Sequence, residues 1–176
     1  MFFKVGAVVR IFTISMSLAL STLALADRYG DCFQKIDIDR SVRGCAEIIG
    51  SSEREDDGNL VEAYKTRGNI YFAKGEYGRA IADFDMAIKV RPKDAEAYVK
   101  RGTAYASKDD YNRAIADFGM AISLMPKRAS VYTMRGHAYE KAGDKNQAIV
   151  DFRRALEIDP SLQSVRDALK RLGVTP

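Results

Sequence analysis

The chain has 176 residues, which is enough for one modest domain. Its residues are 30% charged and 47% apolar, a balance that excludes a disordered or collagen-like chain. The formal net charge is +4; without Lys4 and Arg10 the 28 basic residues become 26 against 24 acidic ones, or +2. Such a weak excess, with no basic run interleaved with aromatic residues, predicts that nucleic acid is not a partner.

The first 26 residues are typical of a secretory signal peptide. Lys4 and Arg10 precede an apolar stretch over residues 11–25, which ends in Ala-Leu-Ala at 24–26 with Asp27 next. A spanning helix needs roughly 20 apolar residues, so this stretch is short for an anchor. We expect a cleaved signal peptide over 1–26, a periplasmic or secreted protein, and no stable membrane insertion after cleavage. An uncleaved anchor and a cytosolic protein are the alternatives.

One set of residue types then recurs three times at a spacing of 34 residues, which predicts a repeat architecture. The recurring positions are Tyr64, Tyr98 and Tyr132; Gly68, Gly102 and Gly136; Tyr71, Tyr105 and Tyr139; Ala80, Ala114 and Ala148; Phe84, Phe118 and Phe152; Ala87, Ala121 and Ala155; and Pro92, Pro126 and Pro160.

Each 34-residue segment predicts two helices. Its early positions 4, 8 and 11 share one helical face, and positions 20, 24 and 27 share another. We expect the glycine of the first helix to face a small alanine of the second, so that the two axes approach closely. Turns are predicted at Gly75, at Asp109-Asp110 and at Gly143-Asp144, and the prolines end the second helices.

The segments RGNIYFAKGEYGRAIADFDMAI, RGTAYASKDDYNRAIADFGMAI and RGHAYEKAGDKNQAIVDFRRAL resemble the tetratricopeptide repeat. The resemblance implies an all-α fold, a right-handed superhelical stack of antiparallel helical hairpins over 61–94, 95–128 and 129–162. Residues 163–176 are predicted to form a capping helix, with an apolar stripe that includes Leu162, Val165, Leu169 and Leu172.

Residues 27–60 align with the repeat as a degenerate, truncated copy. In this register Ser41 takes the position of the first alanine, Cys45 that of the phenylalanine and Cys32 that of Tyr71. These positions lie on facing helices of one hairpin, and exported cysteines usually pair, so we predict a structural disulfide between Cys32 and Cys45. Buried free thiols and a redox-active pair are the alternatives.

A charged pattern follows the same register. Arg67, Arg101 and Arg135 each precede the glycine, and Asp83, Asp117 and Asp151 each precede the phenylalanine. We predict an arginine–aspartate ion pair within or between adjacent repeats, as a part of the architecture and not a ligand site.

The resemblance implies that ligands meet the first helices, which line a concave groove. The predicted binding residues there are Lys65, Asn69, Phe72, Lys100, Thr103, Thr133 and His137. Some family members hold a C-terminal carboxylate in a clamp of lysine and asparagine; Lys65 and Asn69 match its first two positions. Lys100, Ser130 and Met134 depart from the rest. Binding on the convex side is the alternative.

No catalytic constellation is visible. His137 is the sole histidine, so a zinc site is not expected, and we predict neither cofactor nor metal nor enzyme activity. Together with this absence, the resemblance implies a non-catalytic module that binds a protein or peptide partner, and we expect a scaffold or assembly factor of the cell envelope. The alternatives are an accessory or regulatory subunit of an envelope enzyme, a secreted effector, and an enzyme outright.

Overall fold

The computed structural model describes residues 27–34, 37–52 and 55–175, and within these ranges it contains helices and no strands. The predicted signal peptide lies outside the described residues. The helices are α1 over 27–33, α2 Ile38–Gly50, α3 Asp57–Ala73, α4 Tyr77–Val90, α5 Ala95–Ala106, α6 Tyr111–Leu124, α7 Ala129–Ala142, α8 Lys145–Ile158 and α9 Gln163–Arg171. The predicted all-α class is confirmed.

The helices form stacked hairpins in chain order. The pairs α3/α4, α5/α6 and α7/α8 are the three regular hairpins, α1/α2 precedes them, and α9 packs on α8. The first helices of neighbouring hairpins also contact one another, α3 with α5 and α5 with α7. The first helices therefore form one continuous surface along the stack.

The tight turn inside each regular hairpin needs a residue with a left-handed backbone. Gly75, Asp109 and Gly143 occupy this position with φ of +75°, +59° and +90°. Glycine adopts this conformation without steric cost, and aspartate is one of the few other residues that tolerates it. The second helices then end two residues before Pro92, Pro126 and Pro160, because the residue before a proline is pushed out of the helical region. The predicted turns and stops are confirmed.

The recurring glycine is the point of closest approach inside each hairpin. A β-carbon built on Gly68 or Gly136 would lie 2.7 Å from the ring of Phe84 or Phe152, and one on Gly102 would lie 2.9 Å from Phe118. The expectation that the glycine faces a small alanine is therefore wrong, because the phenylalanine ring fills that space. The alanines Ala80, Ala114 and Ala148 are fully buried elsewhere in the hairpin seam.

The predicted arginine–aspartate pair is confirmed, and it lies within each hairpin. In the middle hairpin Arg101 donates from Nε and Nη2 to the two oxygens of buried Asp117, at 2.8 and 2.6 Å. Arg67 with Asp83 and Arg135 with Asp151 have the same two-bond geometry. Hydrogen bonding to Asp117 raises the pKa of Arg101 although burial acts to lower it, so the pair stays charged.

The first hairpin is closed differently. Cys32 and Cys45 are fully buried and joined as a disulfide, with their Cα atoms 4.5 Å apart. The close approach has moved to the second helix, since a β-carbon on Gly44 would lie 2.5 Å from the backbone nitrogen of Cys32. The Ser41 hydroxyl donates to the carbonyl oxygen of Cys32 at 2.5 Å. A covalent bond thus replaces the aromatic seam of the regular hairpins.

Arg28 stands at the repeat position of Arg67, but Gly44 stands where the aspartate would be. Arg28 instead pairs with Glu55, 2.6 Å away in the segment that leads to α3, and donates to the hydroxyl of Ser51. The Tyr29 hydroxyl also donates to Glu55. The degenerate hairpin therefore uses its arginine to hold the connection to the next hairpin.

The C-terminal helix α9 covers the last regular hairpin. Val165 and Leu169 are fully buried against a cluster that contains Tyr132 and Phe152. On its outer side Arg171 pairs with Glu140 of α7 at 2.9 Å. This helix supplies an apolar face to α8 and a polar face to solvent, as a terminal cap must.

The two carboxylates around Arg101 provide a matched test of the seam. Asp117 is buried, whereas Asp85 of the preceding hairpin is half exposed and bonds the same guanidinium at 2.6 Å. Asp117→Asn should lower the free energy of unfolding by about 3 kcal/mol, because it removes the buried, two-bond partner of Arg101 and leaves only the half-exposed Asp85. Asp85→Asn should cost less than about 1 kcal/mol. Urea unfolding measures both, and equal losses would contradict the assignment.

Reducing the disulfide should loosen the first hairpin alone. A disulfide that closes so short a loop contributes about 3 kcal/mol, so amide exchange in α2 should accelerate on the order of a hundredfold. Hydrogen exchange read by mass spectrometry, with and without reductant, measures this change. The amides of α7 and α8 are the internal control. Two reactive thiols in the oxidised protein, or an equal acceleration along the whole stack, would contradict the prediction.

Candidate functional site

The candidate site is the surface that the first helices α3, α5 and α7 form together, which we call the groove. All seven predicted binding residues belong to these helices, three to α3, two to α5 and two to α7. They are Lys65, Asn69, Phe72, Lys100, Thr103, Thr133 and His137. The structure separates them into three environments.

Four of the seven residues meet around one cavity. A volume of about 190 Å³, which we call the small cavity, lies between α3, α4 and α5. Its walls are Asn69, Phe72, Phe84, Val99, Lys100 and Thr103. The hydroxyl of Thr103 donates to the Val99 carbonyl at 2.8 Å, so its hydrogen is used within α5. The small cavity can accept an apolar side chain.

A larger cavity lies one hairpin earlier and was not predicted. This large cavity has a volume of about 440 Å³ and lies between α1, α2 and α3. Its walls include Phe33, Ile38, Ser41, Thr66, Asn69, Ile70 and Ala73. Phe33 and Ile38 are exposed, which is unusual for side chains of their size. The signal was present in the sequence, because Phe33 stands at the repeat position of Phe72 in the degenerate copy.

Asn69 joins the two cavities, since it belongs to the walls of both. Its side chain is exposed on α3. An amide both donates and accepts hydrogen bonds, so it can pair with the backbone of a chain that crosses from one cavity to the other. The two cavities therefore adjoin at Asn69, which places a polar group between their largely apolar walls.

Lys65 is placed differently from a ligand-binding lysine. Its ammonium group contacts Glu62 at 2.8 Å, Asp94 at 3.2 Å and Glu96 at 3.3 Å. An ammonium has three N–H donors, and these three carboxylates use all of them. Only 8% of the side chain is exposed. Lys65 thus connects α3 to the start of α5, and no donor remains for an incoming carboxylate.

The charges of this cluster are strongly coupled. Burial acts to lower the pKa of Lys65, but the hydrogen bond to Glu62 and the charge of Asp94 raise it overall. Burial likewise acts to raise the pKa of Glu96, and the charges of Lys65 and Lys100 outweigh it and lower that pKa. Lys100 contacts the second oxygen of Glu96 at 3.3 Å. Both groove lysines are therefore bound to the protein's own carboxylates.

Thr133 and His137 lie on α7, outside the walls of both cavities. The Thr133 hydroxyl donates to the carbonyl of Ala129 at 3.1 Å. The His137 ring meets the Phe152 ring edge-on, with centroids 4.9 Å apart, and its Nδ1 lies 3.5 Å from Glu140. Since Arg171 also holds Glu140, His137 belongs to the contact between α7 and the C-terminal cap.

Among the described residues, no group of three or more histidine, cysteine, aspartate or glutamate side chains could hold a metal ion. None of the helices described is both long and apolar enough to cross a membrane.

Comparisons with known proteins agree with this geometry. A model described as TPR repeat matches residues 68–109, and two described as tetratricopeptide repeat match 95–128 and 129–162. Together they span residues 68–162, more than half of the chain. No curated protein matches the sequence.

Several solved structures are similar. The TPR domain of Arabidopsis OM64 is 27% identical, with a TM-score of 0.64, and the match covers 67% of this chain and 98% of that one. The second TPR domain of human RPAP3, in complex with the HSP70 peptide SGPTIEEVD, gives the same values. MamA is 23% identical over 81% of this chain and 87% of its own, with a TM-score of 0.69, and shares the fold.

The two groove lysines provide a test of their roles. Lys65→Met should lower the free energy of unfolding by about 2 kcal/mol at neutral pH, because it leaves three carboxylates without their shared cation. Lys100→Met, which removes a more exposed lysine with one partner, should cost less than about 1 kcal/mol. Urea unfolding compares them.

The loss caused by Lys65→Met should also depend on pH. A carboxylate whose folded pKa is lowered, such as Glu96, adds stability above its ordinary pKa, and this is lost as the pH falls through the lowered value. The gap between the wild type and Lys65→Met should therefore shrink between neutral pH and about pH 3. A gap that is constant with pH would contradict the ionic role of Lys65.

Proposed function

Because the chain belongs to the tetratricopeptide repeat family, whose domains are peptide-binding scaffold modules, we propose that it is a non-catalytic module that holds a segment of a partner protein in its groove. The observation that carries the proposal is the pair of adjoining cavities that share Asn69. Binding energy at protein interfaces is concentrated in a few side chains, chiefly aromatic ones and arginine, that fill well-packed pockets. The groove contains two such pockets next to each other, the large cavity and the small cavity.

The similar structure of human RPAP3 supports peptide binding in general but not the same peptide ending. Its ligand SGPTIEEVD carries two glutamates and an aspartate near its C-terminus. In the present chain Lys65 stands at the first clamp position, and Glu62, Asp94 and Glu96 already use its donors. We therefore propose that a segment of the partner lies in the groove, as a peptide does in that complex, but that no carboxylate clamp holds its end.

We further propose that the module acts in the cell envelope, as a scaffold or assembly factor in the periplasm or outside the cell. The features that support this location are the signal-like sequence over residues 1–26 and the Cys32–Cys45 disulfide, which is a bond typical of oxidising compartments. A partner protein of the same compartment follows from the proposal.

Site-specific crosslinking in cells tests the groove. A photoreactive amino acid at Ala73, an exposed wall residue of the large cavity, should capture a discrete partner. The same amino acid at Ala116, an exposed alanine of the second helix α6, is the matched control and should not. Asn69→Arg should abolish capture from Ala73, because a long charged side chain then obstructs both cavities.

Asn146→Arg is the control for that substitution, since Asn146 is an exposed asparagine on α8 and gains the same charge. It should leave capture unchanged. Capture from Ala116 that resists Asn69→Arg would move the binding surface to the convex side and overturn the groove assignment. The crosslinked chain should begin at Asp27, and a product that retains Met1 in the cytoplasm would contradict the proposed location.

A further inference from the structure

The charge distribution around the small cavity points to the chemistry of the bound segment; this step rests on the proposed function. We propose that the segment carries a lysine or arginine beside the apolar side chain that fills the small cavity, and that a second apolar side chain fills the large one.

The charges near the small cavity do not balance. The carboxylates of Glu62, Asp94 and Glu96 contact the ammonium group of Lys65, and Glu96 also contacts that of Lys100. Three negative charges therefore face two positive ones, which leaves one negative charge in excess. Lys100 lies in the wall of the small cavity and Lys65 is one helical turn from Asn69. Glu96 lies one helical turn before Lys100 on the same helix, so the excess negative charge lies at the edge of the small cavity.

The acidic and basic side chains of this cluster differ in exposure. The side chains of Glu62 and Glu96 are each 52% exposed, whereas Lys65 is 8% and Lys100 24% exposed. The carboxylates of Glu62 and Glu96 are therefore more accessible to an approaching segment than the two ammonium groups. A cationic side chain gains from this arrangement, and an acidic one is repelled.

The positions of the two cavities suit an extended segment. They lie in consecutive hairpins, and packed helices are about 10 Å apart. An extended polyproline-type segment places residues i and i+3 on one face about 9 Å apart. A segment with two apolar residues at that spacing can therefore fill both cavities while Asn69 pairs with the backbone between them.

Selection from a phage library of random twelve-residue peptides, against the protein purified from cells that express the full chain, tests the proposal. Enriched peptides should combine two apolar residues with a lysine or arginine next to one of them. Replacing that basic residue by glutamate in a synthetic peptide should weaken binding about tenfold or more, and added salt should reduce the difference.

Matched variants locate the effect. Glu62→Gln should weaken binding of the enriched peptide about fivefold, since it removes the excess charge. Glu157→Gln is the control, because Glu157 is also an exposed glutamate three residues from its basic partner, on α8, and it should change nothing. Asn69→Arg should abolish binding. Thermal unfolding followed by circular dichroism verifies that each variant is folded.

The outcomes separate the two proposals. The enriched peptides could be acidic or uncharged and bind Glu62→Gln as well as the wild type, but fail to bind Asn69→Arg. This result would overturn the charge preference and leave the groove assignment in place. Peptides that bind Asn69→Arg as well as the wild type, or a selection that enriches no peptide, would overturn both.

Discussion

The contact between a glycine of the first helix and a phenylalanine ring of the second is the constraint on which the regular stack depends. A methyl group at Gly68, Gly102 or Gly136 would collide with the ring, so the two helices approach each other only because these positions have no side chain. The phenylalanine ring is then fully enclosed. The aspartate that precedes it in the sequence is also buried, within reach of the arginine that precedes the glycine. The close approach of glycine and phenylalanine thus positions both the apolar seam and the ion pair, and it does so in all three regular hairpins.

The sequence predicts this part of the fold well because its determinants lie close together in the repeat. The turn at Gly75, the stop before Pro92 and the pair of Arg67 with Asp83 all follow from a register that repeats three times. The position of Lys65 could not be predicted in the same way. Its partners Asp94 and Glu96 begin the next hairpin, and only the stacking of α5 on α3 brings them to the ammonium group. The residue type of Lys65 fits a clamp position, but residue type alone does not reveal that Asp94 and Glu96 bind its ammonium group.

The degenerate hairpin shows a second solution to the same packing problem. It replaces the glycine–phenylalanine contact by Gly44 against the backbone of Cys32, and the two aromatic positions by a disulfide. The disulfide is smaller than the aromatic side chains that it replaces. The large cavity beside it has more than twice the volume of the small cavity. The alignment with the repeat identified the two cysteines. It could not show this volume, because a cavity depends on how side chains from α1, α2 and α3 pack together and not on any one position.

The disulfide has a consequence for when the groove is complete. The large cavity is walled by Phe33 and Ser41, which flank the bonded cysteines in α1 and α2, whereas the small cavity belongs entirely to regular hairpins. In a reducing compartment the three regular hairpins keep their own seams, and the walls of the large cavity lose the bond that holds them. In the proposed mode of binding, reduction would leave only the small cavity with walls held in place, and oxidation would fix the walls of the large cavity as well. The redox state of the surroundings would thereby set how completely the proposed two-cavity site is formed.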